Sequence, residues 1–348
     1  MRKPARSKGA DDERPYFVRA SAKKVARNRK PLQILKTRIL SILSILLEIF
    51  MNTQKLDLLR EALPYIRKFK GKTFVVKFSG KVTEDKENLA SLAEELALLH
   101  QVGIKICVVH GGGKQLSELA GKLGVAQTVI DGRRVTSDET LDLAKMIFAG
   151  KINTEILAAL RRRGTAAVGL SGIDGNIVHA AKRPPKEILN RRTGISETID
   201  FGNVGDVLNI NAHLLTLLLD SDYMPIVSSL GADDEGQIFN INADTIASEI
   251  AAQLKAEKLV LLSDVNGIYL DPNKPETKIS RLNVAEAEDL IKSGAATGGM
   301  IPKLQSIIAL LKRGVKSAHI IGGAQRNALL SEVFTDRGEG TMLTSEAV

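Results

Sequence analysis

A short apolar run that stops on three consecutive glycines constrains this chain more than any other stretch: Ile104-Lys105-Ile106-Cys107-Val108-Val109-His110, then Gly111-Gly112-Gly113. A run this short, rich in β-branched side chains and closed by a breaker, reads as a strand buried on both faces. Directly after the glycines, Leu116, Leu119 and Leu123 recur at helical spacing. The glycines therefore occupy the turn between a strand and a helix. Backbone without Cβ atoms there lets an anion approach several N–H groups and the positive end of a helix, which suits a phosphate or a carboxylate. A tight βα turn that binds nothing accounts for the same residues.

The pattern repeats along the chain. Thr73–Phe78 reads as a strand, followed by the turn Ser79-Gly80-Lys81 and a helix over Asn88–Gln101. Asp131-Gly132 marks a hairpin within Thr128–Thr136. Ser137 opens a long helix that runs to Gly164, and Ala166–Leu170 is again a strand. Ile173–Gly205, rich in Gly, Pro and Arg, reads as hairpins or loops. A helix over Ala212–Leu219, a strand over Met224–Ser228, a hairpin at Asp233–Gly236 and a helix over Asp244–Leu254 come next. Leu259–Ser263 is a strand, 284–292 and 301–312 are helices, and Ser317–Ile321 is a strand. Doubly apolar strands alternating with helices imply an α/β fold with a mainly parallel sheet covered on both faces. Ligands are then expected at the carboxyl ends of the strands.

The net charge of +9 invites a nucleic-acid partner, so its location matters. Residues 1–50 carry 13 Lys and Arg against 4 Asp and Glu, whereas the rest of the chain carries 36 of each. The body is neutral, and a nucleic-acid-binding face on it is disfavoured. Residues 1–30 are basic, polar and aperiodic, and read as disordered. The cleanest apolar run in 34–51, Ile39–Leu47, is too short to span a bilayer, and no signal-peptide cleavage site follows it. It suits an interfacial or partner-binding helix; alternatively, Met51 is the biological start. From 53 to 69, Leu56, Leu59, Leu63, Ile66 and Phe69 make an amphipathic helix ended by Gly71. The single cysteine, Cys107, excludes a disulfide framework and a cysteine zinc site, and fits a reducing compartment. The five histidines show no metal-ligand spacing.

Two nucleotide motifs fail. Gly71-Lys72-Thr73 resembles the end of a Walker A loop, but Ile66 stands where its first glycine belongs; Leu116 stands where the dinucleotide fingerprint needs its third. What remains is a set of polar residues at strand and helix ends. Lys77, inside an apolar strand, needs an anionic partner unless it snorkels at a sheet edge. Arg134 suits a bidentate carboxylate clamp or a solvated hairpin arginine. Asp244 opens a helix, where it serves the dipole or a site. Lys303 opens another and, alone, reads as a surface lysine.

Six stretches together are more specific than any one. Phe74-Val75-Val76-Lys77-Phe78-Ser79-Gly80, Val108-Val109-His110-Gly111-Gly112-Gly113, Gly132-Arg133-Arg134-Val135-Thr136, Asn240-Ile241-Asn242-Ala243-Asp244, Leu261-Leu262-Ser263-Asp264-Val265-Asn266-Gly267 and Gly298-Gly299-Met300-Ile301-Pro302-Lys303 occur in the order and spacing of the amino acid kinase family. The resemblance covers roughly residues 53–345 and is closest to the arginine-sensitive, hexameric type that phosphorylates N-acetyl-L-glutamate. It implies a three-layer αβα sandwich around an open, mainly parallel sheet. It implies a basic and apolar extension over 1–50, an oligomerisation helix over 51–70, a lobe over 71–228 for the acyl amino acid, and a lobe over 229–348 for ATP. The reaction implied is transfer of the γ-phosphoryl of MgATP to the side-chain carboxylate, the second step of arginine biosynthesis, in the cytoplasm.

By the same resemblance Lys77, Lys303 and Asp244 are catalytic. Gly112, Gly113, Arg134 and Asn240 bind the acyl substrate, and Gly80, Gly111, Asp264, Gly267, Gly299 and Met300 border the nucleotide. Mg²⁺ is held mainly by ATP oxygens. Glu332, Gly338 and Gly340 match an L-arginine effector site, and the N-terminal helix matches that of hexameric homo-oligomers. Two departures stand out. Ser79 replaces the usual glycine, which costs about 1 kcal/mol if the backbone there has positive φ. Gly322-Gly323-Ala324 replaces Asp-Gly-Arg, so the likeness is stronger for assembly than for inhibition. A sister kinase acting on carrier-protein-linked glutamate or aminoadipate, and a non-catalytic arginine-sensing interaction protein, are the alternatives.

Overall fold

Alternation along the central strands divides the molecule into three layers. In β1 (Thr73–Phe78), Phe74, Val76 and Phe78 face one apolar core while Val75 faces a second. In β2 (Lys105–His110), Ile106 and Val108 face the first and Cys107 and Val109 the second. A strand buried on both sides in this way needs helices above and below it. The computed structural model describes residues 60–130, 133–189, 196–271, 274–296, 300–323, 325–335 and 338–345. The readings made for residues 1–59 and for Gly299 lie outside the described residues. The chain divides into two units, Met1–Glu61 and Ala62–Val348, and both cores belong to the second.

Residues 60–69 are helical (α1). After β1 comes one turn of helix, α2 (Lys81–Glu84), then α3 (Lys86–Gln101), β2 and α4 (Gly113–Leu123). The two-residue strands β3 (Val129–Ile130) and β4 (Arg133–Arg134) pair antiparallel, as the expected hairpin requires. The long helix is present as α5 (Asp138–Lys145), a π-helical segment (Met146–Ile152) and α6 (Asn153–Arg162). Ser137 caps it by accepting the Thr140 N–H. β5 (Ala167–Ser171) follows. The glycine- and proline-rich stretch resolves into β6 (Val178–Lys182), the ribbon β7 (Lys186–Leu189) with β8 (Ser196–Ile199), and β9 (Gly205–Ile210). Next come α7 (His213–Asp220), β10 (Met224–Ser228), β11 (Leu230–Ala232), β12 (Ile238–Asn240), α8 (Ala243–Gln253) and β13 (Lys258–Ser263). The chain ends through β14 (Ile268–Tyr269), β15 (Lys278–Ile279), β16 (Arg281–Asn283), α9 (Val284–Lys292), α10 (Met300–Lys312), β17 (Ser317–Gly322), α11 (Ala328–Phe334) and β18 (Thr341–Thr344).

The main sheet has eight strands in the order β16-β18-β17-β13-β1-β2-β10-β5. Neighbours from β17 to β5 are parallel, and β18 runs antiparallel to β17. The first core takes Leu92, Leu96 and Leu99 of α3, Leu116 of α4, and Phe148, Ile152 and Ile156 of the long helix. The second takes Ile246 and Ile250 of α8 and Leu304, Ile307 and Leu311 of α10. Burying each such side chain contributes about 1.5–3 kcal/mol. A smaller sheet, β12-β11-β6-β9, is separate. The expected open, mainly parallel sheet between helical layers is thus the observed one, with an antiparallel margin that periodicity had not resolved.

Candidate active site

The phase of β1 places Lys77 on the Val75 side of the sheet, toward α8. That helix begins where Asn242 caps it, its side chain accepting N–H bonds from Asp244 and Thr245. The cap turns the Asp244 carboxylate toward the end of β1. Lys77 Nζ lies 2.7 Å from Asp244 Oδ1, with 13% of the lysine and 30% of the aspartate side chain exposed. The lysine thus has the anionic partner that its place in an apolar strand demands.

Lys303 comes from the next helix on the same face. Ser263 ends β13 beside β1, and Lys303 Nζ donates to Ser263 Oγ at 2.6 Å. Burial lowers the Lys303 pKa, Asp244 and Asp264 pull it up, and Lys77 pushes it down. Two ammonium groups therefore share the field of Asp244 at the carboxyl ends of β1 and β13. Asp264 is exposed just beyond Ser263. Gly267 has φ +107, and a Cβ there would meet Thr341 Oγ1 at 2.7 Å; only glycine fits. Met300 opens α10.

The two glycine turns close the other side. A Cβ on Gly111 would lie 3.4 Å from Ala243 Cβ in the first turn of α8, so the starts of α4 and α8 converge. Gly112 has no room for a side chain, since Phe148 and Ile152 fill that space, whereas Gly113 faces open space. Gly80 is equally enclosed: its missing Cβ is replaced by the Gln115 carboxamide, with Gly112 Cα at 2.9 Å. Converging helix N-termini and closely approaching backbone favour a bound anion. Ser79 is not among the positive-φ residues, so the strain expected of a serine there does not arise.

Arg134 reaches the same turn from β4. Its Nη2 donates to Gly113 O at 2.8 Å and to Ser117 Oγ at 2.7 Å, and Nη1 donates to Gln127 Oε1. Partial burial lowers its pKa. Asn240 ends β12 and donates through Nδ2 to Thr136 Oγ1 at 3.2 Å, tying the hairpin strand to the smaller sheet.

Beneath the glycines lies a buried polar layer that periodicity did not reveal. Asn153 Nδ2 donates to Leu170 O and Ile226 O, each at 3.1 Å, and lies 3.4 Å from His110 Nε2. Burial pushes the His110 pKa down to about 4, so the imidazole is neutral near pH 7. Gln115 and Ser263 were likewise missed. Each is a polar residue at an element end, and such positions carry no periodic signal.

Glu332, Gly338 and Gly340 meet elsewhere, on α11 and the loop after it. Glu332 Oε2 accepts N–H bonds from Glu339 at 2.6 Å and Gly340 at 3.0 Å, and a Cβ on Gly338 would lie 2.8 Å from it. Its other oxygen is 2.6 Å from His319 Nδ1. His319 Nε2 faces Lys258 Nζ at 2.8 Å, and Lys258 Nζ stands 5.1 Å over the Phe69 ring. An ammonium on Nε2 makes that nitrogen an acceptor, so Nδ1 carries the proton and donates to Glu332. Burial, with Lys258 nearby, pushes His319 down to about 4. Burial alone would raise the Glu332 pKa, but the His319 and backbone bonds outweigh it and the net shift is downward.

Among the described residues, no three acidic, histidine or cysteine side chains are grouped to cage a metal, and no helix is long and apolar enough to cross a membrane.

The amino acid kinase family model matches residues 72–322. The chain is 44% identical over 293 residues to an acetylglutamate kinase of Methanocaldococcus jannaschii, covering 84% of this chain and 97% of that one. It is 42% identical over 292 residues to an acetylglutamate kinase of Thermosynechococcus vestitus, covering 84% and 95%. Among solved structures, N-acetylglutamate synthase from Neisseria gonorrhoeae complexed with coenzyme A and N-acetyl-glutamate superposes with a TM-score of 0.72 at 31% identity, covering 84% of this chain and 64% of that one. A Giardia carbamate kinase, at 18% identity and a TM-score of 0.57, shares the fold.

Proposed function

The chain belongs to the amino acid kinase family, and from that premise we propose that it transfers the γ-phosphoryl of ATP to the side-chain carboxylate of N-acetyl-L-glutamate, giving the acyl phosphate of arginine biosynthesis. The acetylglutamate kinases it resembles over most of its length support this acceptor. The observation that carries the reading is the Lys77–Asp244 pair with Lys303 in its field. A carboxylate nucleophile is already ionised at pH 7, so the reaction needs no general base. What it needs is positioning and neutralisation of charge on the transferring phosphoryl group. Lys77 and Lys303 supply two positive charges, and Asp244 keeps them from repelling each other apart. Gly80 and Gly111–Gly113 offer backbone to the phosphoryl group and the reacting carboxylate.

Residues 71–228 would hold the acyl amino acid and 229–348 the nucleotide. Arg134 would exchange its bond to Gly113 O for the substrate α-carboxylate, with Asn240 beside it. Asp264, Gly267, Gly299 and Met300 would border ATP. The described side chains do not make a protein cage for Mg²⁺; it would be held by the triphosphate oxygens. The reducing setting that suits the unpaired Cys107 fits a cytoplasmic enzyme. For regulation, Glu332, Gly338 and Gly340 would form the L-arginine effector site, with the Glu332 carboxylate giving up part of its present bonding to His319 and the Glu339 and Gly340 N–H groups for the guanidinium. A solved N-acetylglutamate synthase of 27% identity is described as complexed with L-arginine. The N-terminal helix would serve a hexameric homo-oligomer.

A coupled assay for ADP release tests the proposal. Free N-acetyl-L-glutamate should support turnover, and Lys77→Ala should abolish it. Equal background rates in both proteins would refute the enzyme; turnover confined to a carrier-linked acceptor would replace the substrate.

A further inference from the structure

The two backbone segments that would cradle the phosphoryl group come from different strands, and a single side chain locks one to the other. Gln115, in the first turn of α4, is 7% exposed. Its Nε2 donates to the carbonyl oxygen of Gly80 and, at 3.0 Å, to Thr83 Oγ1. Thr83, 6% exposed, donates its own hydroxyl to the same Gly80 oxygen at 2.7 Å. The carboxamide also fills the volume that a Cβ on Gly80 would need, against Gly112 Cα. Gly80, Gly112 and Gln115 therefore interlock across a gap that the chain closes only through the whole of α3 and β2.

Peptide geometry turns this clamp into an orientation. In a trans peptide the C=O of one residue and the N–H of the next point in opposite directions. Three donors, the Gln115 carboxamide, the Thr83 hydroxyl and the Thr83 backbone N–H at 3.0 Å, hold the Gly80 carbonyl toward the protein, on the side of Gln115 and Thr83. The N–H of the Gly80–Lys81 peptide is thereby fixed facing the other way. Without the two side-chain donors, this glycine peptide plane is held only by the Thr83 backbone N–H and gains room to tilt. Donors oriented before the reaction stabilise developing charge far better than donors that must reorient.

We propose that Gln115 is a positioning residue for phosphoryl transfer: through the Gly80 carbonyl it presets the donor geometry and the width of the cradle, and it does not itself touch the substrate. The inference rests on the kinase reading of the site. Gln115→Met keeps the volume and removes the donors. The full chain is assayed for turnover, and binding of ADP is compared with binding of ADP plus aluminium fluoride, a mimic of the transferring group. In the variant, kcat and affinity for the mimic should fall together by about tenfold to a hundredfold, while affinity for ADP alone and KM hold within about twofold. Equal losses for ADP and the mimic, or no loss of either, would overturn the proposal. Should Gln115→Met fail to fold, Thr83→Val must give the same selective loss in smaller measure, and Thr83→Ser must restore it; a Thr83→Val protein with unaltered mimic binding overturns the proposal as well. The binding comparison needs no acceptor. A wild type that leaves N-acetyl-L-glutamate untouched sinks the acceptor assignment, and the Gln115 comparison still decides the clamp.

Discussion

Asp244→Asn isolates charge from shape at the centre of the site. The substitution keeps the volume and a hydrogen-bonding oxygen, but removes the negative charge 2.7 Å from Lys77 Nζ. At an effective dielectric of about 20, that contact is worth about 6 kcal/mol before solvation is counted. Water at the open side of Asp244, whose side chain is 30% exposed, and the desolvation of both groups reduce it to about 2 kcal/mol net. The expected fall in melting temperature is therefore modest, about 4–6 °C. The effect on rate should be larger. Lys303 already feels Lys77 as a repelling charge and Asp244 as an attracting one, so the asparagine leaves two ammonium groups with their counter-charge removed. They should separate, and the transferring phosphoryl group loses preset neutralisation worth about 3–4 kcal/mol, or about a hundredfold to a thousandfold in kcat. Differential scanning fluorimetry and the ADP-release assay read the two quantities on one preparation. A variant that loses the melting temperature but keeps kcat within about threefold would show that the pair is merely structural, and the catalytic assignment of Asp244 would be wrong.

Ser263→Ala should leave Lys303 without its 2.6 Å hydroxyl partner and raise KM for ATP more than it lowers kcat, each by about threefold to tenfold; steady-state kinetics at varied ATP reads the split. Gly112→Ala forces a methyl group into Phe148 and Ile152 and should cost about 1–3 kcal/mol in a urea titration. Acid should destabilise the fold between pH 6.5 and 4. His110 and His319 are both pushed from 6.5 down to about 4, so the unfolded chain binds more protons in that window. The stability each contributes is complete above pH 6.5 and is lost as pH falls, about 2 kcal/mol per histidine by pH 5. Urea midpoints at pH 7 and pH 5 check this, and His110→Asn should remove about half of the difference, leaving the His319 share.

How much of this was legible beforehand depends on what kind of signal each residue carries. The layers were legible because burial on both faces of a strand leaves an unbroken apolar run. Val75 and Val76 face opposite cores, yet both had to be apolar. Lys77 was legible for the opposite reason: a charge in such a run violates the pattern and calls for a partner. The six motifs gave the rest of the site through their order. The short antiparallel strand β18 was missed because four residues at a sheet margin show no period. The π-helical segment Met146–Ile152 was missed for a related reason. Its register shift within a long helix leaves the spacing of apolar residues nearly unchanged, although it sets how Phe148, Ile152 and Asn153 meet the glycine turn.

Glu95 shows where a local signal existed and what it meant. It interrupts the leucines 92, 96 and 99 on the buried stripe of α3, and a carboxylate at such a position is costly unless paired. Besides the local Ser91 hydroxyl at 3.4 Å, its partners are the N–H groups of Asn327, Leu329 and Leu330, at 3.1, 3.0 and 3.4 Å, far away in sequence. Burial raises its pKa, opposed by those same bonds. The carboxylate thus caps α11, the helix that carries Glu332. The violation can be read from the pattern, because it depends only on neighbours in α3. The partner cannot, because backbone N–H groups are identical at every residue and topology alone selects which ones arrive. Gln115 and Gly80 obey the same rule. Glycine marks where backbone is approached closely, but the side chain that approaches is chosen by how β1 and β2 lie side by side, a property of the folded sheet.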